Sequence, residues 1–343
     1  MDTMTLVFSI LVVMAALGFS FSTGYNEPNV AAVVISTKAI SPRKALFVVG
    51  VLEFLGACVL GTTVAKTFAV GIIDPSVVSH NEYGMVVVLI TLLVATGWNV
   101  VCTIFGFPIS ASMALVGGFV GAGIAAAGFI AVQWSTVLII FGLLIMSPFM
   151  GFFLSYIVTK LAYLAVRRAK PVINQLIITL EIIITLGLAL VTGANAAQRP
   201  MGIIVFSLIT AGILESSAGG DIPLWVVLTC GLALGVGIIS TGNKVLRTVG
   251  RGYYRVRHIN GLSAQLASAG IIQVANFVGM PVSTTQVTSS SVLGTGAAER
   301  IKTVRWNVGI KVLSMWFITM PATAIISYLV YLLVTYFLSL MGV

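Results

Sequence analysis

The sequence predicts an all-α polytopic membrane protein with two inverted repeats, interrupted or re-entrant helices, and about 10–12 transmembrane segments. Three observations carry this. Only 8% of the 343 residues are charged and 59% are hydrophobic, with a mean hydropathy of +1.12; soluble domains carry roughly 25% charged residues. Apolar runs long enough to cross a bilayer recur from end to end, and in lipid the backbone must satisfy its own polar groups, which selects helices. Two polar motifs also occur twice, in the same order.

Taken in order, the apolar segments are 4–22, 45–72, 84–105, 113–131, 136–166, 173–193, 202–214, 223–243, 261–279, 284–298 and 307–340. The first lacks a basic leader and a small-residue cleavage site, so it reads as a retained span. The stretches 22–40 and 193–202 do not fit as full spans and read as interrupted or re-entrant helices. Ten-residue alternation typical of a membrane barrel is absent.

The formal charge is +9. The basic residues gather in short loops: Lys38, Arg43 and Lys44; 160–170; 244–257; 300–311. The loops at 74–83, 133–135 and 216–223 are acidic or neutral. Basic loops placed on the cytoplasmic side give a nearly consistent alternation, so the charge reflects topology and not nucleic-acid binding. Cys58, Cys102 and Cys230 lie within apolar runs and read as small buried residues.

The repeats are legible in the motifs. Gly24-Tyr25-Asn26-Glu27 resembles Gly193-Ala194-Asn195-Ala196, with Asn26 and Asn195 169 residues apart. Gly106-Phe107-Pro108-Ile109-Ser110-Ala111-Ser112 resembles Gly279-Met280-Pro281-Val282-Ser283-Thr284-Thr285, 173 residues apart, and Gly121 and Gly123 match Gly294 and Gly296 at the same offset. The repeats divide as 1–166 and 167–343. The loop alternation sets the Pro108 turn near the inside and the Pro281 turn near the outside, an inverted arrangement whose site lies between repeats.

Each Pro-(Ile/Val)-Ser segment reads as a helix start, with Ser at the N-cap. Early helical N–H groups lack internal partners and carry partial positive charge. Two converging starts form a cradle for an oxyanion without a buried Arg, from Ser110 and Ser112 on one side and Ser283, Thr284 and Thr285 on the other. The plain alternative is that these small residues only allow close helix packing.

Asn26, Glu27 and Asn29 flank Pro28, which interrupts a helix; freed carbonyls, amide oxygens and the carboxylate suit a cation or a proton. Asn195 and Gln198 are their counterparts, with no acid. An ionisable residue within a span is a functional candidate, which singles out Glu53. Glu181 reads equally well as paired near the basic loop at 167–170. Glu215 and Asp221 read as solvated, and Lys66 and Arg247 as snorkelling to an interface. His80 and His258 sit in polar loops with no metal-ligand spacing. There is no phosphate-cradling NTPase loop and no nucleophile–base cluster, so neither ATP drive nor catalysis is expected.

These motifs resemble those of the inorganic phosphate transporter (PiT) family, which includes sulfate permeases, over nearly the whole chain. Gly279–Thr285 followed by 287–291 and Gly294 is similar to the family's G-[LM]-P-V-S-[ST]-T-H segment. Gly193–Gly202 is similar to its G-S-N-D-A-Q-K-x-M-G. Ser41–Leu46 and 64–74 are similar to further landmarks. The signature Asp is Glu27 in the first repeat and Ala196 in the second, Pro28 disturbs the first signature, and the expected His is Met113 and Gln286. The resemblance implies a secondary transporter of phosphate, or of sulfate or a related oxyanion, in the cell membrane. It implies no bound cofactor, and a sodium ion at Asn26, Glu27 and Asn195, or a proton, as coupling ion. The oligomeric state stays open, a homo-oligomer included. A passive anion channel on the same repeats, a lipid-phosphate enzyme and a non-transporting scaffold are the rivals.

Overall fold

The computed structural model describes residues 3–73, 84–107, 109–214, 222–242, 246 and 253–340. Pro108, the Glu215 and Asp221 loop, His80 and Arg247 lie outside the described residues. Twelve α-helices run through the described residues: α1 (Thr3–Asn26), α2 (Asn29–Thr37), α3 (Pro42–Val59), α4 (Thr63–Val70), α5 (Gly84–Phe105), α6 (Ala111–Ala127), α7 (Trp134–Val166), α8 (Ile173–Thr210), α9 (Leu224–Ile239), α10 (His258–Val278), α11 (Thr284–Arg300) and α12 (Trp306–Leu340).

Six spans among the described residues are long and apolar enough to cross a membrane, with α1 and α2 counted as one, or seven when the pair α3 and α4, bent by 75°, is counted as another. This is fewer than the number of apolar runs, for physical reasons. The runs 173–193 and 202–214 fuse into α8. The runs that became α6, α9 and α11 make helices of 17, 16 and 17 residues, at the short end of what a span needs. The stretch 193–202, expected to be interrupted, is continuous helix with Pro200 inside it. A proline removes one backbone donor, which a membrane helix tolerates when neighbouring elements pack around the gap. In the first half the interruption is real: α1 ends at Asn26, Glu27 and Pro28 are non-helical, and α2 starts at Asn29.

The repeat is visible in how helices stop. α5 and α10 are followed by Gly106 and Gly279, both at φ +74°. A left-handed residue after a helix is accessible to glycine at no steric cost. In both turns the N–H of the residue after glycine reaches back to the last helical turn, Phe107 to Cys102 O and Met280 to Ala275 O, each at 3.0 Å. Helix growth then restarts three residues later on Ser110 and Ser283. Their hydroxyls accept from the N–H of Met113 (3.2 Å) and Gln286 (3.3 Å).

Packing follows the same offset with partners exchanged. α6 lies on α12, and α11 lies on α7; α1 crosses α9, and α8 crosses α3. Equivalent glycines make these crossings close. A Cβ at Gly121 would overlap the carbonyl oxygen of Ala324, and one at Gly294 that of Phe152. A Cβ at Gly56 would overlap Leu190 O, and one at Gly237 would overlap Phe21 O. The short helices of each half are therefore buried against long helices of the other, so the two halves do not pack independently.

Two predictions follow from this frame. Cysteines placed singly at the exposed positions Ser135 and Ala169, which bracket α7, should label from opposite faces, Ser135 from outside and Ala169 from inside; labelling of both from one face contradicts the topology. Gly121→Leu should cost more than about 3 kcal/mol and abolish the monodisperse peak in size-exclusion chromatography, because overpacking against backbone has no cheap relief. Gly187→Leu, at an exposed glycine with no atom within 4 Å, should leave that peak intact.

Candidate functional site

The two helix starts meet. Ser112 Oγ, on the first turn of α6, donates to Val282 O at 3.4 Å. One turn on, Gln286 Nε2 approaches Met113 Sδ at 3.4 Å, and Gln286 Oε1 accepts from Ser147 Oγ at 3.0 Å. Met113 and Gln286 are the two positions where the family pattern has His. They occupy equivalent places in the repeats and touch each other, so the repeats converge here.

The broken segment between α1 and α2 lies against this convergence. Glu27 Oε1 accepts from the Ala111 N–H at 3.2 Å, the first N–H of α6. Glu27 Oε2 accepts from Thr284 Oγ1 at 2.7 Å, the first residue of α11. Asn29 Nδ2 donates to Thr285 Oγ1 at 3.2 Å. One carboxylate thus bridges both helix starts, where partial positive charge is concentrated.

Arg199 completes the cluster. It is the largest fully buried side chain among the described residues. Its Nη1 lies 3.6 Å from Glu27 Oε1, and its Nη2 donates to Asn195 Oδ1 (3.4 Å) and Thr284 Oγ1 (3.5 Å). The sequence reading expected a cradle without a buried Arg; the structure corrects this. The signal was present, since an Arg inside Gly193–Gly202 stands where the family pattern has Lys. A guanidinium removed from water needs an anion beside it, and the Glu27 carboxylate serves that need. Asn195 is held in turn, its Nδ2 donating to Asn276 Oδ1 at 2.7 Å and Asn276 Nδ2 to Val191 O at 3.0 Å.

The remaining candidates separate. Ser110 and Ser283 spend an acceptor on capping but keep a hydroxyl proton to donate. Asn26 is fully buried, its Oδ1 accepting from Thr103 Oγ1 at 2.9 Å, away from Glu27's partners. Gln198 holds the α3–α4 bend: its Oε1 accepts from the N–H groups of Val64 (2.7 Å) and Ala65 (3.2 Å), and its Nε2 donates to Gly61 O (2.8 Å). Glu53 is buried, within electrostatic range of Glu27 and Arg199, and its Oε1 has no hydrogen-bond partner. It comes close because Gly193 lets α8 touch the Glu53 backbone. Glu181 sits apart, with His258 Nδ1 at 2.7 Å and Thr37 Oγ1 donating at 2.7 Å. Lys66 is exposed, as expected for snorkelling.

The residues do not fit a sodium ion at Asn26, Glu27 and Asn195. The amide oxygens of Asn26 and Asn195 are already engaged by Thr103 and Arg199. The Glu27 carboxylate has a fixed cation 3.6 Å away, which repels a second one. The arrangement gathers one buried guanidinium, two helix starts, and several hydroxyl and amide donors.

The model of the Phosphate transporter family matches residues 26–180 and 164–327. A "Probable low-affinity inorganic phosphate transporter" of Bacillus subtilis (strain 168) is 40% identical over 95% of this chain and 97% of its own length. A protein of the same name from Rhizobium meliloti (strain 1021) is 35% identical over 95% and 97%. A solved structure, "The sodium-dependent phosphate transporter", shares the fold with a TM-score of 0.84 at 23% identity, over 96% of this chain and 99% of that one. With the apolar helices, these matches establish a multi-pass protein of the cell membrane, and the chain belongs to the phosphate transporter family.

Proposed function

We propose that this protein is a secondary transporter carrying inorganic phosphate across the cell membrane by alternating access of its two repeats, driven by a proton gradient. The observation that carries the reading is Arg199, fully buried between two matching helix starts. A buried cation beside convergent N–H and hydroxyl donors suits a small polyvalent oxyanion that must lose its water to cross. Relatives matched end to end bear the name of inorganic phosphate transporters. Arg199, Thr284, Thr285, Ser283, Ser110, Ser112 and the first N–H groups of α6 and α11 form the substrate set. Phosphate is preferred to sulfate because the cradle also offers an idle acceptor, Asn29 Oδ1, for a protonated phosphate oxygen. Sulfate carries no proton at neutral pH and leaves this acceptor unmatched.

Proton drive follows from the fixed charges. Arg199 already supplies the positive charge that a bound sodium ion would bring, and Glu53, a buried acid beside the cluster whose Oε1 has no hydrogen-bond partner, is the group placed to carry a proton.

In proteoliposomes, labelled phosphate should accumulate under an inward proton gradient with sodium replaced by choline. Accumulation that needs a sodium gradient contradicts the coupling reading, and sulfate outcompeting phosphate contradicts the substrate. Arg199→Gln should lower phosphate binding by at least about tenfold, as expected for losing a charge-assisted hydrogen bond worth roughly 1.5–3 kcal/mol; unchanged binding in folded protein removes Arg199 from the site. Ser283→Ala with Thr285→Ala should weaken binding by about the same factor, measured by isothermal titration on the detergent-solubilised protein.

A further inference from the structure

We propose that the Glu27 carboxylate is a tethered stand-in for the substrate: it holds the oxyanion site once the transported anion has left, and it is the counter-ion that lets the carrier return. This rests on the phosphate reading above and deepens it.

Four observations converge. The carboxylate accepts from the first N–H of α6 and from the first hydroxyl of α11, and it faces Arg199. Those are the donors an oxyanion would use, so Glu27 and the substrate compete for one set of groups. Second, the donors exceed what a carboxylate can satisfy. Arg199 Nε and Nη1 are buried and make no hydrogen bond. A tetrahedral oxyanion with four oxygens can answer donors that two carboxylate oxygens leave idle. Third, Glu27 is not built into a helix. It occupies the two-residue break between α1 and α2, where backbone rotation can withdraw the side chain without unwinding a span. Fourth, only the first repeat has this acid. Its counterpart Ala196 lies inside continuous helix α8, which fixes Arg199 on the opposite wall. The repeats have divided the roles: one wall carries the permanent cation and the other the movable anion.

The charge balance then sets the cycle. With substrate bound, the anion neutralises Arg199. After release, an Arg199 without an anion would sit in the bundle at a high desolvation cost, and the repeats could not move past it. The Glu27 carboxylate takes the anion's place, and the carrier resets. A carrier without this carboxylate can shuttle only while loaded. It exchanges anion for anion but performs no net uptake.

The test uses the full-length protein with Glu27→Ala and Glu27→Gln, in detergent and in liposomes. In detergent, formate, a free carboxylate, should raise the thermal midpoint of Glu27→Ala and leave the wild type unmoved. Phosphate should bind both variants about tenfold or more tightly than the wild type, because a competitor that fills most sites lowers apparent affinity by that fraction. In liposomes, exchange of labelled for unlabelled phosphate should survive while net uptake is lost. The variants can be purified in formate, so a fold that depends on the anion becomes a positive result. No formate response together with unchanged or weaker phosphate binding overturns the inference, as does net uptake at the wild-type rate. The formate arm does not involve phosphate. Formate rescue with no phosphate effect keeps the tether and removes phosphate as substrate; phosphate transport by the wild type with variants indifferent to formate does the reverse.

Discussion

A guanidinium with no exposed surface, set inside a helical membrane bundle, is the constraint on which the rest of this structure depends. Removing one partner from a buried ion pair costs about 3–5 kcal/mol, so Arg199 requires an anion at every stage. That requirement explains why the first long helix breaks at Glu27 and Pro28, where its carboxylate can reach Arg199. It explains why two other helices begin at the same place, each aiming its first donors inward. It also explains the outer brace from Arg199 through Asn195 and Asn276 to the backbone of α8, which fixes the guanidinium's position.

The repeat architecture supplies those helix starts without exposing them to lipid. A helix that begins at bilayer depth leaves N–H groups unsatisfied, which is tolerable only where protein covers them. Exchange of partners between halves gives that cover: α6 is clasped by α12 from the other repeat and α11 by α7, through glycines that bring backbones into contact. The symmetry is broken at charged positions. At the crossing of α8 with α3, Gly193 meets Glu53; at the equivalent crossing of α1 with α9, Gly24 meets Leu234. All the acids near the site therefore come from the first repeat and the cation from the second. A further charged cluster lies nearer the basic loops, where Glu181, His258 and Thr37 tie the end of α2 to α8 and α10.

Much of this was legible in the residues. The paired Gly-x-Pro-x-Ser segments foretold two helix starts, because glycine, proline and serine each have a local backbone reason to be there, and Ser110 and Ser283 do cap helices. Glu27, Asn29, Thr284 and Thr285 were singled out and are in contact. Arg199 was overlooked, since a lone basic residue beside Gln198 and Pro200 looks like a helix end. Its burial follows from α8 continuing to Thr210, and a pairing between residues 27 and 199 has no local signature. Gln198 was read as part of the ion path; one residue of helical rotation turns it to the α3–α4 bend instead. Apolar runs outnumber the long apolar helices among the described residues for a related reason: hydropathy registers runs, but whether two runs join into one helix or one stops short depends on neighbours distant in sequence.

The central claim, that a transported oxyanion sits against Arg199, has a direct physical measurement. With 15N-labelled arginine in bilayers and phosphate bound, phosphorus–nitrogen dipolar coupling reports the distance from the anion to the guanidinium. The account predicts a separation of about 3.5–4 Å, the length set by a charge-assisted hydrogen bond, to a resonance that disappears in Arg199→Gln. Bound phosphate that shows no coupling to any arginine nitrogen, or coupling that persists unchanged in Arg199→Gln, would contradict it.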